Sequence, residues 1–287
     1  MELPQGLARL RGSPEGRAWL DQLPDRVERC ASTWSLDLQR PFQGASASLA
    51  ISATLPGGEP VVLKLQFPHR ESEHEAAALR EWDGDGAIRL LASDENRHAL
   101  LLERCLPGAP LAEEHPDRAL EIAIELLPRL WRPAAEPFRS LTDEAAWWAG
   151  YLPDRWERAG RPFEGDLLET ALEALHDLPA SHGEQVLVNQ DLHAGNVLSA
   201  RREPWLVIDP KPLVGEREFG VSALVRGSEL GHSRNALLHR LERLTGELGL
   251  DRERARRWTL AQTLAWAFDD GEVHVTNVEI ARWLKQT

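Results

Sequence analysis

A chain of 287 residues has room, at roughly 150 per domain, for two domains or lobes around a sizeable buried core. Its 46 acidic against 33 basic residues leave a net charge of −13, which argues against nucleic-acid and membrane-surface partners, since both need clustered positive charge. With 28% charged and 42% hydrophobic residues the chain is expected to fold, and only two cysteines, Cys30 and Cys105, speak against a secreted disulfide scaffold.

Met1 to Leu20 is broken by Pro4, Gly6, Arg9, Arg11, Pro14, Glu15 and Arg17, so no export signal is expected. No later run approaches the ~18 apolar residues of a membrane helix. A cytoplasmic protein with no nucleic-acid, membrane or evident protein partner is the expectation. Lysine stands only at 64, 211 and 285, so thirty of the 33 basic residues are arginine, and each surviving lysine invites a specific reason.

A helical segment around Glu15 to Leu23 comes first. Leu49 to Leu55 and Val61 to Phe67 are β-favouring runs joined by Pro56-Gly57-Gly58-Glu59, a hairpin signal. Glu71 to Trp82 has a helical pattern ended by Gly84 and Gly86. Ile88 to Ala92 and His98 to Leu102 follow as two more strands around Ser93-Asp94-Glu95-Asn96. The expected α+β architecture is thus an antiparallel-sheet lobe over 1–102, a connecting segment over 103–110 punctuated by Pro107-Gly108 and Pro110, and a mainly helical lobe over 111–287. In that second lobe Pro116 to Trp131, Thr142 to Ala159 and Glu164 to Asp177 have helical spacing, with Trp148, Leu152 and Trp156 on one buried face. Short strands at Val186 to Val188, Val197 to Ser199 and Trp205 to Ile208 interrupt the helices. Arg234 to Leu248, Asp251 to Phe268 and Thr276 to Leu284 return to helix.

The polar loop Asn189-Gln190-Asp191-Leu192-His193-Ala194-Gly195-Asn196 is followed, thirteen positions beyond Asn196, by Asp209. Phosphoryl transfer needs a carboxylate to orient and deprotonate an alcohol and hard oxygen ligands for Mg²⁺. Asp191, Asn196 and Asp209 are the right types, and a hairpin between Asn196 and Asp209 would bring them together. The bland alternative makes Asp191 and Asn196 Asx turns and Asp209 a helix cap. His193 is read as structural, because Mg²⁺ prefers oxygen and no other histidine has ligand spacing around it.

Residues 191–196, DLHAGN, with VIDPKPLVGE at 207–216, resemble the catalytic and metal-binding segments of the aminoglycoside phosphotransferases, more narrowly the aminoglycoside/hydroxyurea resistance kinases. VVLKLQ, HEAAALREWDGDGAIRLL and ALLLERCLPG continue the resemblance along the whole chain. It implies a bilobal protein-kinase-like fold and an ATP- and Mg²⁺-dependent phosphotransferase acting on a hydroxyl of a small molecule. Within it Asp191 would be the catalytic base, and Asn196 and Asp209 would hold the metal. Lys64, on the opposite strand face from Leu63 and Leu65, would meet the nucleotide phosphates. Glu75 would be its partner, with Glu73 as the fallback; a solvent-facing lysine and a Ser72-x-x-Glu75 capping box are the competing readings.

Gly44 and Ser46, in Gln43 to Ser48, occupy the position of the phosphate-covering loop, where an ordinary hairpin turn is the alternative. Glu103 to Leu106 would bond adenine through the backbone, with Cys105 a lining residue and not a nucleophile. The acceptor that the resemblance, together with the −13 charge, favours is a cationic aminoglycoside such as streptomycin. Asp269 and Asp270 are candidate partners for it, with Glu272, Asp143, Glu144 and Asp154 behind them; a solvated helix end competes for the 269–272 cluster. A metabolic sugar or amino-alcohol kinase, and a nucleotide-binding protein without turnover, are the alternatives. Two departures from the family pattern stand out: Asn189-Gln190 replaces His-Gly before Asp191, and Phe219 is followed by Gly220 where an acidic residue is usual.

Overall fold

Ser13 opens the first helix of the computed structural model, accepting the Gly16 N–H at 3.0 Å ahead of Pro14 at N1. The residues described are 4–44, 47–134, 136–269 and 272–287. They fall into two units, Met1–Gly108 with Ser199–Leu206, and Ala109–Leu198 with Val207–Thr287.

In the first unit α1 (Pro14–Thr33) runs well past the expected Leu23, straight through Pro24. Its apolar stripe, Trp19, Leu20, Leu23, Val27 and Cys30, buries against Leu49, Ile51, Leu63 and Leu65 of the sheet. Five such side chains at about 1.5–3 kcal/mol each outweigh the ~3 kcal/mol cost of an interior proline. The sheet is formed by β1 (Asp37–Pro41), β2 (Ser48–Thr54), β3 (Pro60–Gln66), β4 (Leu90–Asp94) and β5 (Ala99–Glu103), in the order β1-β2-β3-β5-β4. β3 is central, pairing antiparallel with β2 and β5. Edge strand β1 is mostly exposed, so it lacks the apolar alternation that announces the others. Helix α2 (Glu75–Trp82) is shorter than the pattern over 71–82 suggests, because residues 70–72 form a separate turn whose Ser72 hydroxyl engages His69.

The second unit carries α3 (Pro116–Leu130), α4 (Leu141–Arg158), α5 (Gly165–Asp177), β6 (Gln185–Asn189), β7 (Val197–Ser199), β8 (Trp205–Val207) and β9 (Pro212–Glu216). Residues 199–206, the tip of the β7–β8 hairpin, group with the first unit. Then come α6 (Arg217–Gly220), α7 (Ser222–Arg226), α8 (Arg234–Leu248), α9 (Arg252–Ala265), β10 (Phe268–Asp269), β11 (Glu272–Val273) and α10 (Val275–Lys285). Trp148 and Leu152 are fully buried, but Trp156 is only half-buried: its indole donates to Phe163 O at 3.0 Å and carries Arg161 on its face.

Strand β9 was not evident in the sequence, since Pro212 and Gly215 dilute its signal. It pairs antiparallel with β6 from Gln185↔Glu216 to Asn189↔Pro212. Glycine is required at 215, where a Cβ would lie 2.8 Å from Leu141 Cβ. Helix α9 ends at Ala265, not at Phe268; a small β10–β11 hairpin replaces the expected helix end and holds the Asp269 acidic cluster. Among the described residues no helix is long and apolar enough to cross a membrane.

Candidate active site

Lys64 sits mid-way along β3, opposite Ala50 on one side and Leu100 on the other, so two ladders hold its backbone. Its Nζ lies 2.7 and 2.6 Å from the two Glu75 carboxylate oxygens, and Gln66 Nε2 donates to Glu75 Oε2 at 2.6 Å. Lys64 is 6% exposed and Glu75 1%. Glu75 is therefore the partner. Glu73 is mostly exposed beside His74, and Ser72 is turned to His69, which disposes of the fallback and of the capping box. A buried ion pair of this kind is weak as a stabiliser, because desolvation offsets much of its attraction. Its retention is better understood as placing a fixed ammonium.

Gly44 lies in the β1–β2 connection at φ +94°, a left-handed conformation suited to glycine, with nothing within 4 Å of a would-be Cβ. Ser46 lies outside the described residues. Glu103 ends β5, and its side chain is committed: the carboxylate accepts Arg202 Nε at 2.8 Å, Arg202 Nη2 at 3.0 Å and the Arg89 N–H at 3.0 Å. Arg202 also donates to Gly84 O at 2.7 Å and Ala87 O at 2.9 Å. This arginine clamp was missed in the sequence, where only its place in a hairpin turn is visible. Burial, reinforced by the Glu103 charge and only partly opposed by Arg202, pushes the Cys105 thiol up to about 12, which removes it as a nucleophile.

In the second unit the polar loop is stapled by Asn189. Its Oδ1 accepts the N–H groups of Asp191 at 3.0 Å and Lys211 at 2.9 Å, and the Gln190 N–H donates to Lys211 O at 3.0 Å. Asn196 Nδ2 donates to Asp191 O at 3.0 Å, and Ile208 N–H donates to Asn196 O at 2.9 Å. The hairpin thus brings Asp191, Asn196 and the neighbour of Asp209 into one hydrogen-bonded group. Asp209 itself adopts φ +50°, a region that non-glycine residues enter at a cost of about 1–2 kcal/mol and that often marks a working position.

The Asp191 carboxylate has company the sequence did not announce. Lys211 Nζ lies 2.6 Å from its Oδ2, and Arg226 Nη2 lies 3.6 Å from Oδ1. Both cations lie over the ring of Trp266, at 5.5 and 4.7 Å from its centroid. His193 is structural, its Nδ1 accepting the Gly195 N–H at 3.1 Å, and no group of three or more His, Cys, Asp or Glu among the described residues could hold a metal.

Both departures from the family pattern have local explanations. A Cβ at Gly220 would meet Trp131 Nε1 at 2.9 Å and Val188 Cγ1 at 3.4 Å, so an acidic side chain has no room there. The anchoring of this region falls instead to Glu216, 1% exposed, whose carboxylate takes paired contacts of 2.8–3.2 Å from Arg254 and a hydrogen bond from Trp258 Nε1. Burial alone would raise its pKa, yet the nearby His182 ring at 3.9 Å and the hydrogen bonds from Arg254 and Trp258 outweigh it and hold it at about 2.

The expected acidic acceptor face is partly dismantled. Glu144 is fully buried beside Arg139 at 3.5 Å, Asp143 takes the Ser140 hydroxyl at 2.7 Å, and Asp154 lies 3.4 Å from Arg158. Asp269 and Glu272 stay exposed on the β10–β11 hairpin; Asp270 lies outside the described residues.

Residues 33–271 match the family model described as aminoglycoside/hydroxyurea antibiotic resistance kinase. The chain belongs to this family. It is 38% identical over 292 residues to a hydroxyurea phosphotransferase of Kitasatospora aureofaciens, covering 98% of this chain and 84% of that protein. It is 37% identical over 294 residues to a streptomycin 6-kinase of Streptomyces griseus, covering 98% and 95%. Among solved structures it is similar to the choline kinase LicA of Streptococcus pneumoniae, with TM-score 0.67 at 10% identity, covering 93% of this chain and 100% of that one. The resistance-kinase chain is thus a small-molecule phosphotransferase with a hydroxyl acceptor on the expected protein-kinase-like fold, a small antiparallel sheet joined to mainly helical structure.

Proposed function

We propose that the chain transfers the terminal phosphoryl group of ATP, with Mg²⁺, to a hydroxyl of streptomycin or a closely similar aminoglycoside. The observation that carries this reading is the single hydrogen-bonded group that joins Asp191, Asn196 and the Ile208-Asp209 step, in a chain so similar over its length to a streptomycin 6-kinase. Asp191 orients the acceptor hydroxyl and takes its proton. Lys64, fixed by Glu75, serves the nucleotide phosphates, Gly44 belongs to the loop that covers them, and Glu103 to Cys105 offer adenine their backbone, since the Glu103 side chain is committed to Arg202.

The donor set fits Mg²⁺. Asn196 spends its Nδ2 on Asp191 O, which leaves the amide oxygen as its remaining donor, and Asp209 adds a carboxylate. Two hard oxygen donors suit an ion that completes its shell with phosphate oxygens and water. When bound, Mg²⁺ would neutralise charge on those phosphates.

A cationic acceptor is supported by Asp269 and Glu272, exposed on the hairpin that begins two residues beyond Trp266. A second acceptor, hydroxyurea, has support in the 38% identity to a hydroxyurea phosphotransferase. The test is a panel in which the purified chain, ATP and Mg²⁺ meet streptomycin, hydroxyurea, choline and a neutral sugar, with products read by mass spectrometry. Phosphorylated streptomycin is expected. Turnover of the sugar or choline alone would discard the resistance reading, and nucleotide binding with no product from any acceptor would point to a protein without turnover.

A further inference from the structure

The compositional argument that singles out Lys64 applies with equal force to Lys211, which the proposed function leaves unused. Of the three lysines, Lys285 pairs with Asp166 on the surface and needs no special reason, but Lys211 Nζ sits 2.6 Å from the carboxylate of Asp191. Arg226 already stands beside the same carboxylate at 3.6 Å, so holding Asp191 in place does not by itself account for Lys211. We infer that Lys211 is a second catalytic group: it holds Asp191 before the acceptor arrives and then gives its ammonium to the phosphoryl group in flight. This rests on the assignment of Asp191 as the group that takes the hydroxyl proton.

The geometry supplies the reason. A hydroxyl hydrogen-bonded to the same Oδ2 of Asp191 has its oxygen within roughly 5 Å of Nζ, because both lie at hydrogen-bond distance from one atom. In the transfer the acceptor oxygen bonds to phosphorus as the bridging P–O bond breaks, the bond's electron pair leaves with the diphosphate, and the hydroxyl proton passes to Asp191. Charge on the non-bridging oxygens of the transferring group then lies beside Nζ, where a donor needs no reorganisation to meet it.

Lysine suits this role better than arginine. A guanidinium would lock onto the carboxylate as a planar fork, whereas an ammonium on a flexible stem carries three donors and can keep one on Asp191 while turning another to phosphate. The two cations divide the work by placement: Arg226 packs closer over Trp266, at 4.7 Å, and Lys211 stands farther from the ring, at 5.5 Å, in short contact with Asp191. The backbone of Lys211 is fixed on both sides, its N–H by Asn189 Oδ1 and its C=O by the Gln190 N–H, so only the side chain is left to move.

The experiment compares wild type with Lys211→Met and Lys211→Arg in the full chain, using the acceptor that wild type phosphorylates. Lys211→Met is expected to lower kcat by 10²-fold or more with the acceptor KM within threefold, and both variants should melt near wild type. In calorimetry the preference of a non-hydrolysable ATP analogue over ADP should fall about tenfold in Lys211→Met, as loss of a charge-assisted hydrogen bond to the terminal phosphate requires. Lys211→Arg, though it keeps the charge, should not restore kcat. Acceptor-independent ATP hydrolysis should fall in Lys211→Met but persist in Asp191→Ala. Rescue by Lys211→Arg to within threefold of wild type, or an unchanged ATP-analogue preference in Lys211→Met, would overturn the inference. A wild-type chain that binds no nucleotide would overturn the proposed function with it, whereas normal wild-type turnover beside an unimpaired Lys211→Met overturns this step alone.

Discussion

Replacing Glu216 by glutamine removes the one carboxylate to which Arg254, Trp258 and the His182-Gly183 corner all bond. The fold then keeps an arginine aimed at a neutral amide and loses the tie between the end of β9 and α9. With a folded-state pKa of about 2 against an ordinary 4.5, the carboxylate contributes about 3 kcal/mol at neutral pH, at 1.36 kcal/mol per pH unit. A stability loss of that size in Glu216→Gln corresponds to a Tm lower by about 6–12 °C in a chain of this length. The sign with pH follows from the depressed pKa: the contribution is complete above about 4.5 and drains away as pH falls toward 2. The stability difference between wild type and Glu216→Gln should therefore narrow by about 1 kcal/mol between pH 7 and pH 4. Urea melts at the two pH values test both. A variant melting within about 1 °C of wild type at pH 7, or a difference that widens on acidification, would refute the reasoning.

Asp191→Ala should lose nearly all phosphoryl transfer while ADP binding, followed by calorimetry, stays within threefold of wild type; a rate within tenfold of wild type, about 1.4 kcal/mol of barrier, would remove Asp191 from the mechanism. Asp209→Asn should lose the Mg²⁺-dependent part of nucleotide binding while Asp154→Asn, at a surface pair with Arg158, keeps it; equal loss in both would put the metal elsewhere. Lys64→Met should cost about 3–5 kcal/mol in denaturant melts, because it strands the buried Glu75 charge; Lys64→Met/Glu75→Gln should recover most of that stability and none of the activity. Cys105 should resist iodoacetamide at pH 8, since a thiol at about 12 is almost wholly protonated there, and rapid labelling in the native protein would contradict the burial.

What could be read from the sequence was what local spacing controls. Lys64 and Glu75 are eleven residues apart, joined through one strand, one turn and one helix, so the pair follows once β3 and α2 are recognised. The Asp191, Asn196 and Asp209 set is carried by a loop and a short hairpin, again a local device. The positions that escaped depend on contacts no window contains. Arg202 meets Glu103 across 99 residues, Arg254 meets Glu216 across 38, and Lys211 meets Asp191 across 20, where Asn189 ties both of their N–H groups. The half of helix α1 beyond Leu23 escaped for the opposite reason: Pro24 lowers local helix propensity, and burial against the sheet overrides it.

The same tie bears on whether Asn189-Gln190 marks a loss of catalysis. A ring nitrogen in its accepting state has one lone pair, whereas an amide oxygen has two. Asn189 uses both, one on the Asp191 N–H and one on the Lys211 N–H, so it joins the loop bearing Asp191 to the strand that follows Asp209 in a way an imidazole could not. The packing that a ring would have supplied comes from α9, where Gln262 Nε2 donates to Gln190 O at 2.8 Å and, one turn later, Trp266 underlies both cations beside Asp191. The substitution therefore exchanges one means of steadying the loop for another, and through the Lys211 N–H it fixes the backbone of the residue whose ammonium lies 2.6 Å from Asp191.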